Sequence, residues 1–163
     1  MGTTIYRNVS QDQAKELLKD LLSGGISSPE VKEFADRVAY HPDATNLIMP
    51  FNRVKELYVY VDDPDGKELF IAPHRQIKIQ RETGKFTGDC DDAALLIASI
   101  FGALGRRVKL SIVDSNGDGM YDHVIACTFH KGSWVDMDLT DDKPLGWIYD
   151  YRMRDDIFPE GVK

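Results

Sequence analysis

The stretch that most constrains this chain is Gly88-Asp89-Cys90-Asp91-Asp92 together with the apolar run behind it. Ala93 to Ala98 is uninterrupted and apolar, Ile100, Phe101 and Leu104 continue the run, and Gly105 reads as its stop. The pattern predicts a helix with a cysteine in its first turn. A thiol in that position lies at the positive end of the helix dipole, among N–H groups without helical partners, and both favour thiolate. Asp89 is a helix cap by type, and Gly88 permits close backbone approach. The Cys90 N–H points out of the helix end, where it can stabilise an oxyanion. The acids beside the thiol oppose its ionisation, an effect that a nearby imidazolium reverses.

Two further segments supply what such a thiol needs. His123 opens a strand-like run ending at Phe129, and Trp134-Val135-Asp136-Met137-Asp138-Leu139-Thr140 brings carboxylates on the next strand. Cysteine on a helix, histidine on a strand and aspartate on the following strand are the parts of a thiol–imidazole–carboxylate triad. Asp136 and Asp138 share a strand face and are rivals for the third role. Cys127 lies mid-strand among apolar neighbours and reads as core, the ordinary fate of a free cysteine.

With 163 residues and 42% hydrophobic content, the chain predicts a single domain, 1–163, with a real core. Its charge of −7 is spread along the chain, so nucleic-acid phosphate is not an expected partner. Two cysteines are too few for a disulfide scaffold, and no CxxC pair points to zinc. The first residues lack the apolar core of a signal peptide, and no run has the length of a membrane span. The expectation is a soluble, cytoplasmic protein with no membrane partner.

Ser10-Gln11-Asp12-Gln13 has the form of a capping box ahead of Ala14, Leu17, Leu18, Leu21 and Leu22, with Gly24-Gly25 as the expected stop. Ser28-Pro29-Glu30 starts a second helix facing inward through Val31, Phe34, Ala35 and Val38 and ending before His41-Pro42. These helices form an N-terminal helical extension, 1–45, that caps the rest. Residues 57–61 are rich in strand formers yet could finish a helix begun near Phe51, residues 62–66 are a turn by composition, and 68–73 and 77–79 read as extended. Strands over 108–113, 123–129 and 134–139 complete an antiparallel meander after the cysteine helix, the α+β pattern. The tail, 145–163, is expected to wrap the surface.

These motifs carry a family resemblance. Gly88-Asp89-Cys90-Asp91-Asp92 with its helix is similar to the core motif of the transglutaminase-like superfamily, which has a papain-like fold. Tyr121-Asp122-His123-Val124 resembles that family's histidine strand, and the Trp134 to Thr140 segment its Trp…Asp-Pro-Thr strand, with Leu139 where proline is usual. The segment 54–73 resembles the lead-in of short phage and bacterial members. The likeness covers roughly residues 50–140 in three ordered motifs, and residues 1–45 and 145–163 lie outside it. The resemblance implies Cys90 as nucleophile, His123 as general base and Asp138 as the group that orients the imidazole, the Trp134 spacing preferring Asp138 to Asp136. It implies acyl transfer from an amide, with a protein or peptide substrate. It also leaves room for a non-catalytic structural or assembly module with virion or other assembly proteins as partners. Gln76 and Gln80 lie upstream of the cysteine, where a papain-like fold carries its second oxyanion donor, and spacing singles out neither.

One loop carries a separate pattern. Asp114-Ser115-Asn116-Gly117-Asp118-Gly119-Met120-Tyr121-Asp122 alternates oxygen-bearing side chains as a calcium loop does, with the Met120 carbonyl as a further ligand. Position twelve is Ile125 rather than glutamate and no helix pair flanks the loop, so it is not an EF-hand. Calcium held by Asp114, Asn116, Asp118, Met120 and Asp122 and a metal-free polar turn are equally weighted readings.

Overall fold

The computed structural model describes residues 3–6, 10–39 and 46–161. The elements run β1 Thr3–Tyr6, α1 Gln11–Ile26, α2 Pro29–Val38, α3 Ile48–Leu57, β2 Tyr58–Tyr60, β3 Glu68–Ile71, α4 Pro73–Thr83 and β4 Phe86–Gly88. They continue with α5 Cys90–Ala103, β5 Val108–Val113, β6 His123–His130, β7 Ser133–Met137 and β8 Arg154–Ile157. This is a mixed α+β arrangement. Four antiparallel strands form one sheet in the order β7-β6-β5-β8, and β1 with β3 and β2 with β4 make two small ladders.

The apolar run read from the sequence is the centre of the molecule. Every residue of α5 from Asp92 to Phe101 is buried, because α1, α2 and α4 pack on one side of it and β5 and β6 on the other. A helix without a polar face is stable only when it is covered all round. Truncating a large side chain in such a place costs about 2–5 kcal/mol, so the element carrying the cysteine is firmly held. The sheet turns Leu110, Ile112, Val124, Ala126 and Met137 towards α5, while Val113, Ile125 and Cys127 face the other way with Trp134 and Tyr151. That division follows the two-residue period of a strand.

The structure decides four local expectations. First, α1 does not stop at Gly24-Gly25 but continues to Ile26. A Cβ at Gly25 would collide with Ser99 and sit 2.7 Å from the Pro73 ring, so this glycine serves close helix packing and not termination. Second, residues 77–79, expected to be extended, lie within α4. Pro73 at its start and the left-handed Gly84 at its end punctuate a helix that buries Gln76 and Ile77, and this outweighs the short Ile-x-Ile alternation. Third, the strand formers at 57–61 satisfy both readings, since α3 ends at Leu57 and β2 begins at Tyr58. Fourth, the tail does not simply wrap the surface. Its residues Arg154–Ile157 extend the sheet as β8, paired with β5. His41-Pro42 falls outside the described residues, and α2 ends at Val38 before it.

Candidate active site

The turn that carries Cys90 is built by its own acids. Asp89 caps α5, its Oδ1 accepting the Asp91 N–H at 3.1 Å and the Asp92 N–H at 3.5 Å, while Asp92 Oδ2 accepts the Asp89 N–H at 3.4 Å. The Ala93 N–H donates to the Asp89 carbonyl at 3.0 Å. Among the described residues no acceptor takes the Cys90 N–H, which is thus the open donor of the first turn. Gly88 is required for a steric reason, since a Cβ there would lie 2.6 Å from the Asp92 Cβ. The Asp92 side chain also accepts the Ile71 N–H at 2.8 Å and so ties β3 to the cysteine turn.

His123 opens β6, and its Nε2 lies 2.7 Å from Oδ2 of Asp138, one residue beyond the end of β7. Asp138 is buried, and its Oδ1 accepts from the Thr140 N–H at 2.8 Å and the Thr140 hydroxyl at 2.7 Å. Burial is the largest single influence and works against both charges, but the hydrogen bond and the opposite charges together, with the Thr140 bonds to Asp138, outweigh it: His123 is held above its ordinary value and Asp138 below the usual carboxylate range. With Nε2 engaged, Nδ1 is the imidazole nitrogen left to act as a base. Asp136, the rival carboxylate, is committed elsewhere. Its Oδ1 lies 2.8 Å from Arg154 and accepts from the Cys127 thiol at 3.3 Å.

Cys90 and His123 line one cleft of about 750 Å³. The Cys90 thiol donates to Asp91 Oδ1 at 3.8 Å, and the Val124 N–H, next along from the histidine, favours its thiolate. Burial opposes this, and so do the charges of Asp91 and Asp89, so the net effect pushes the thiol well above its ordinary value. Glu68, Asp89, Asp91 and Asp122 line the same cleft, and among the described residues no lysine or arginine does. Crowded and buried, the acids of the cysteine turn hold their protons: Asp89 is pushed up to about 6, Asp91 to about 7 and Asp92 to about 8, in each case first by burial. Sequence reasoning singled out none of Asp63, Glu68 and Tyr60 for the site. The fold brings carboxylate oxygens of Asp63, Glu68 and Asp89 within 4.8 Å of one another, and Tyr60 forms part of the cleft wall. They come from separate loops and strands, and no spacing in the sequence could have joined them.

The remaining assignments divide. Gln76 cannot donate to an oxyanion, because Nε2 already bonds the carbonyls of Ile71 and Asp92, both at 3.0 Å. Gln80 does not line the cleft. In the 114–122 loop the oxygens turn onto the loop itself. Asp114 accepts from the N–H groups of Gly117 and Gly119, Asn116 from that of Asp118, and Asp118 from that of Met120. Asp122 accepts from the Ser115 N–H and hydroxyl, both at 2.7 Å. Among the described residues the acid groups close enough to share a cation lie around Asp89 and not in this loop. The Met120 side chain is exposed at the mouth of the cleft.

No family model matches this sequence, and no curated protein does either. Solved structures do. A candidate cysteine protease from Cytophaga hutchinsonii superposes with a TM-score of 0.54 at 13% identity, over 85% of this chain and 49% of its own. A candidate protease from Parabacteroides distasonis superposes with a TM-score of 0.53 at 13% identity, over 80% of this chain and 26% of its own. This chain therefore spans about half and about a quarter of the lengths of those two proteins. At this identity the likeness is one of fold.

Proposed function

We propose that this chain is a transglutaminase-like, papain-like protein that transfers acyl groups from an amide or peptide through Cys90, His123 and Asp138. The observation that carries the reading is the 2.7 Å bond between His123 and Asp138, with His123 lining a cleft that the helix-start cysteine also lines. The fold likeness to two candidate proteases agrees with it. In this mechanism His123 Nδ1 removes the thiol proton as the sulfur attacks the amide carbon, and the carbonyl electron pair moves onto oxygen. The Cys90 N–H hydrogen-bonds that oxyanion. Collapse expels the amine, which takes the proton from the imidazolium and leaves a thioester on Cys90. Water or a second amine then attacks the thioester carbonyl as His123 takes its proton, and collapse expels the Cys90 sulfur, which takes that proton back and restores the thiol. Asp138 holds the imidazole tautomer and stabilises its cation.

A second reading has its own observation. The thiol is pushed up by burial and by two flanking carboxylates, the reverse of what a resting thiolate needs. On that reading the domain is a non-catalytic assembly module whose partners are other proteins, those of a phage particle included. Turnover of an amide substrate, compared with Cys90→Ala, separates the two. The acyl-transfer reading expects Cys90→Ala to abolish turnover while retaining the fold, because the side chain sits at a helix end where the cavity term is small. Turnover that survives in Cys90→Ala places the chemistry elsewhere. The wild type alkylating at Cys90 no faster than at the buried Cys127 favours the assembly module.

A further inference from the structure

Tyr58 stands at the end of α3 and the start of β2, where the chain turns to run parallel to β4 towards the cysteine. Its backbone pairs with Phe86, and its hydroxyl donates to the Asp89 carbonyl at 3.0 Å. That carbonyl also accepts the Ala93 N–H at 3.0 Å, so both of its lone pairs are engaged. One residue earlier the Gly88 carbonyl accepts the Val61 N–H at 2.9 Å. Two successive carbonyls ahead of the nucleophile are thereby held by the segment 58–61.

The Asp89 carbonyl and the Cys90 N–H belong to one peptide group. That group is planar and trans, so clamping the oxygen on one side aims the N–H on the other. We infer that Tyr58 is a positioning residue of the oxyanion site, its hydroxyl holding the Asp89–Cys90 peptide so that the Cys90 N–H is presented to the reacting carbonyl. The inference rests on the acyl-transfer reading of the same site. It gives Tyr58 a role that the hydrophobic core alone does not require, since a phenylalanine would fill the same space. Burial, with Asp92 and Asp89 nearby, holds the phenol far above its ordinary value, so it remains a donor throughout the working range. The cap leaves the Cys90 N–H as the unspent donor of its turn, and the hydroxyl, together with the Ala93 N–H on the same carbonyl, holds the orientation of that group.

Two reagents isolate the effect. p-Nitrophenyl acetate acylates a thiol through a tetrahedral oxyanion: the sulfur bonds the carbonyl carbon as His123 takes the thiol proton, the electron pair moves to oxygen, and collapse expels p-nitrophenolate, leaving an acetyl thioester. Iodoacetamide alkylates by displacing iodide at a saturated carbon and forms no oxyanion. Tyr58→Phe is expected to slow single-turnover acetylation of Cys90 by about tenfold or more and to leave alkylation within about twofold. Tyr58→Met, which also lacks the hydroxyl, must show the same split, and melting curves confirm that both variants are folded. Equal slowing of the two reactions, or no change in either, overturns the inference. So does a wild-type Cys90 that is acetylated no faster than Cys127. Acetylation by an activated ester requires no amide turnover, so this inference can fail while the acyl-transfer reading stands, and the reverse.

Discussion

His123 and Asp138 meet at 2.7 Å, although one residue opens β6 and the other lies just past the end of β7. The antiparallel pairing of these strands, Ala126 opposite Met137, brings the start of one beside the end of the other. Two residues back, Asp136 faces Cys127 and Arg154 instead. Two carboxylates only two residues apart thus have different partners.

Kinetics on two substitutions should show this. Asp138→Asn is expected to lower turnover by a factor on the order of 10² to 10⁴, since an amide cannot stabilise the imidazolium and supports the wrong tautomer. Asp136→Asn should leave turnover within a few-fold and lower stability by about 1 kcal/mol, because the amide oxygen can still accept from Arg154 and Cys127 and only the charge pairing is lost. The opposite ranking would move the third catalytic role to Asp136.

Stability should fall as pH rises from about 5 to about 8. Asp89, Asp91 and Asp92 keep their protons to about 6, 7 and 8 in the fold, whereas an unfolded chain releases them in the usual carboxylate range. Over that window the native state binds more protons than the unfolded state, so each added pH unit favours unfolding. His123 acts in the same sense. Its folded value is raised, so its contribution is complete below the ordinary histidine value and is lost as pH climbs through the folded one. Asp138 is held low and therefore stabilises the fold above the usual carboxylate range, a contribution lost only in acid. Asp91→Asn should flatten the decline in melting temperature and speed alkylation of Cys90 at pH 8. A wild-type melting temperature that rises across the window would refute this account of the acids.

Calcium at the 114–122 loop is open to direct measurement. If Asp114, Asn116, Asp118, Met120 and Asp122 bind calcium, the melting temperature is higher in millimolar calcium than in EDTA, because a ligand that binds only the native state stabilises it. Affinity should be weak to moderate without a bidentate twelfth ligand, and Asp118→Ala should remove the gain. Superimposable melts and no heat on calorimetric titration would leave a polar turn sustained by its own backbone hydrogen bonds, which already engage each of the loop's side-chain ligands.

The cysteine helix was legible in the sequence because its signals are local: a capping aspartate, a glycine before it, and an apolar run with no polar face. The same holds for the capped starts of α1 and α2 and for the strands that carry His123 and Asp138. Tertiary structure decided whatever depends on residues distant along the chain. Gly25 reads as a stop until Ser99 and Pro73 are seen pressed against it. The Ile77-x-Ile79 alternation looks extended until α4 buries Gln76 and Ile77 together. The tail has no strong strand pattern, and becomes one only because β5 offers it an unpaired edge. The Trp134 spacing already preferred Asp138 to Asp136, but the partners of the two carboxylates belong to this second class, because Arg154 claims one and His123 the other. So does Tyr58, whose hydroxyl finds Asp89 across a separation of 31 residues. Helix caps and periodicity are written in neighbouring residues, whereas the partner of a buried polar atom is selected by packing.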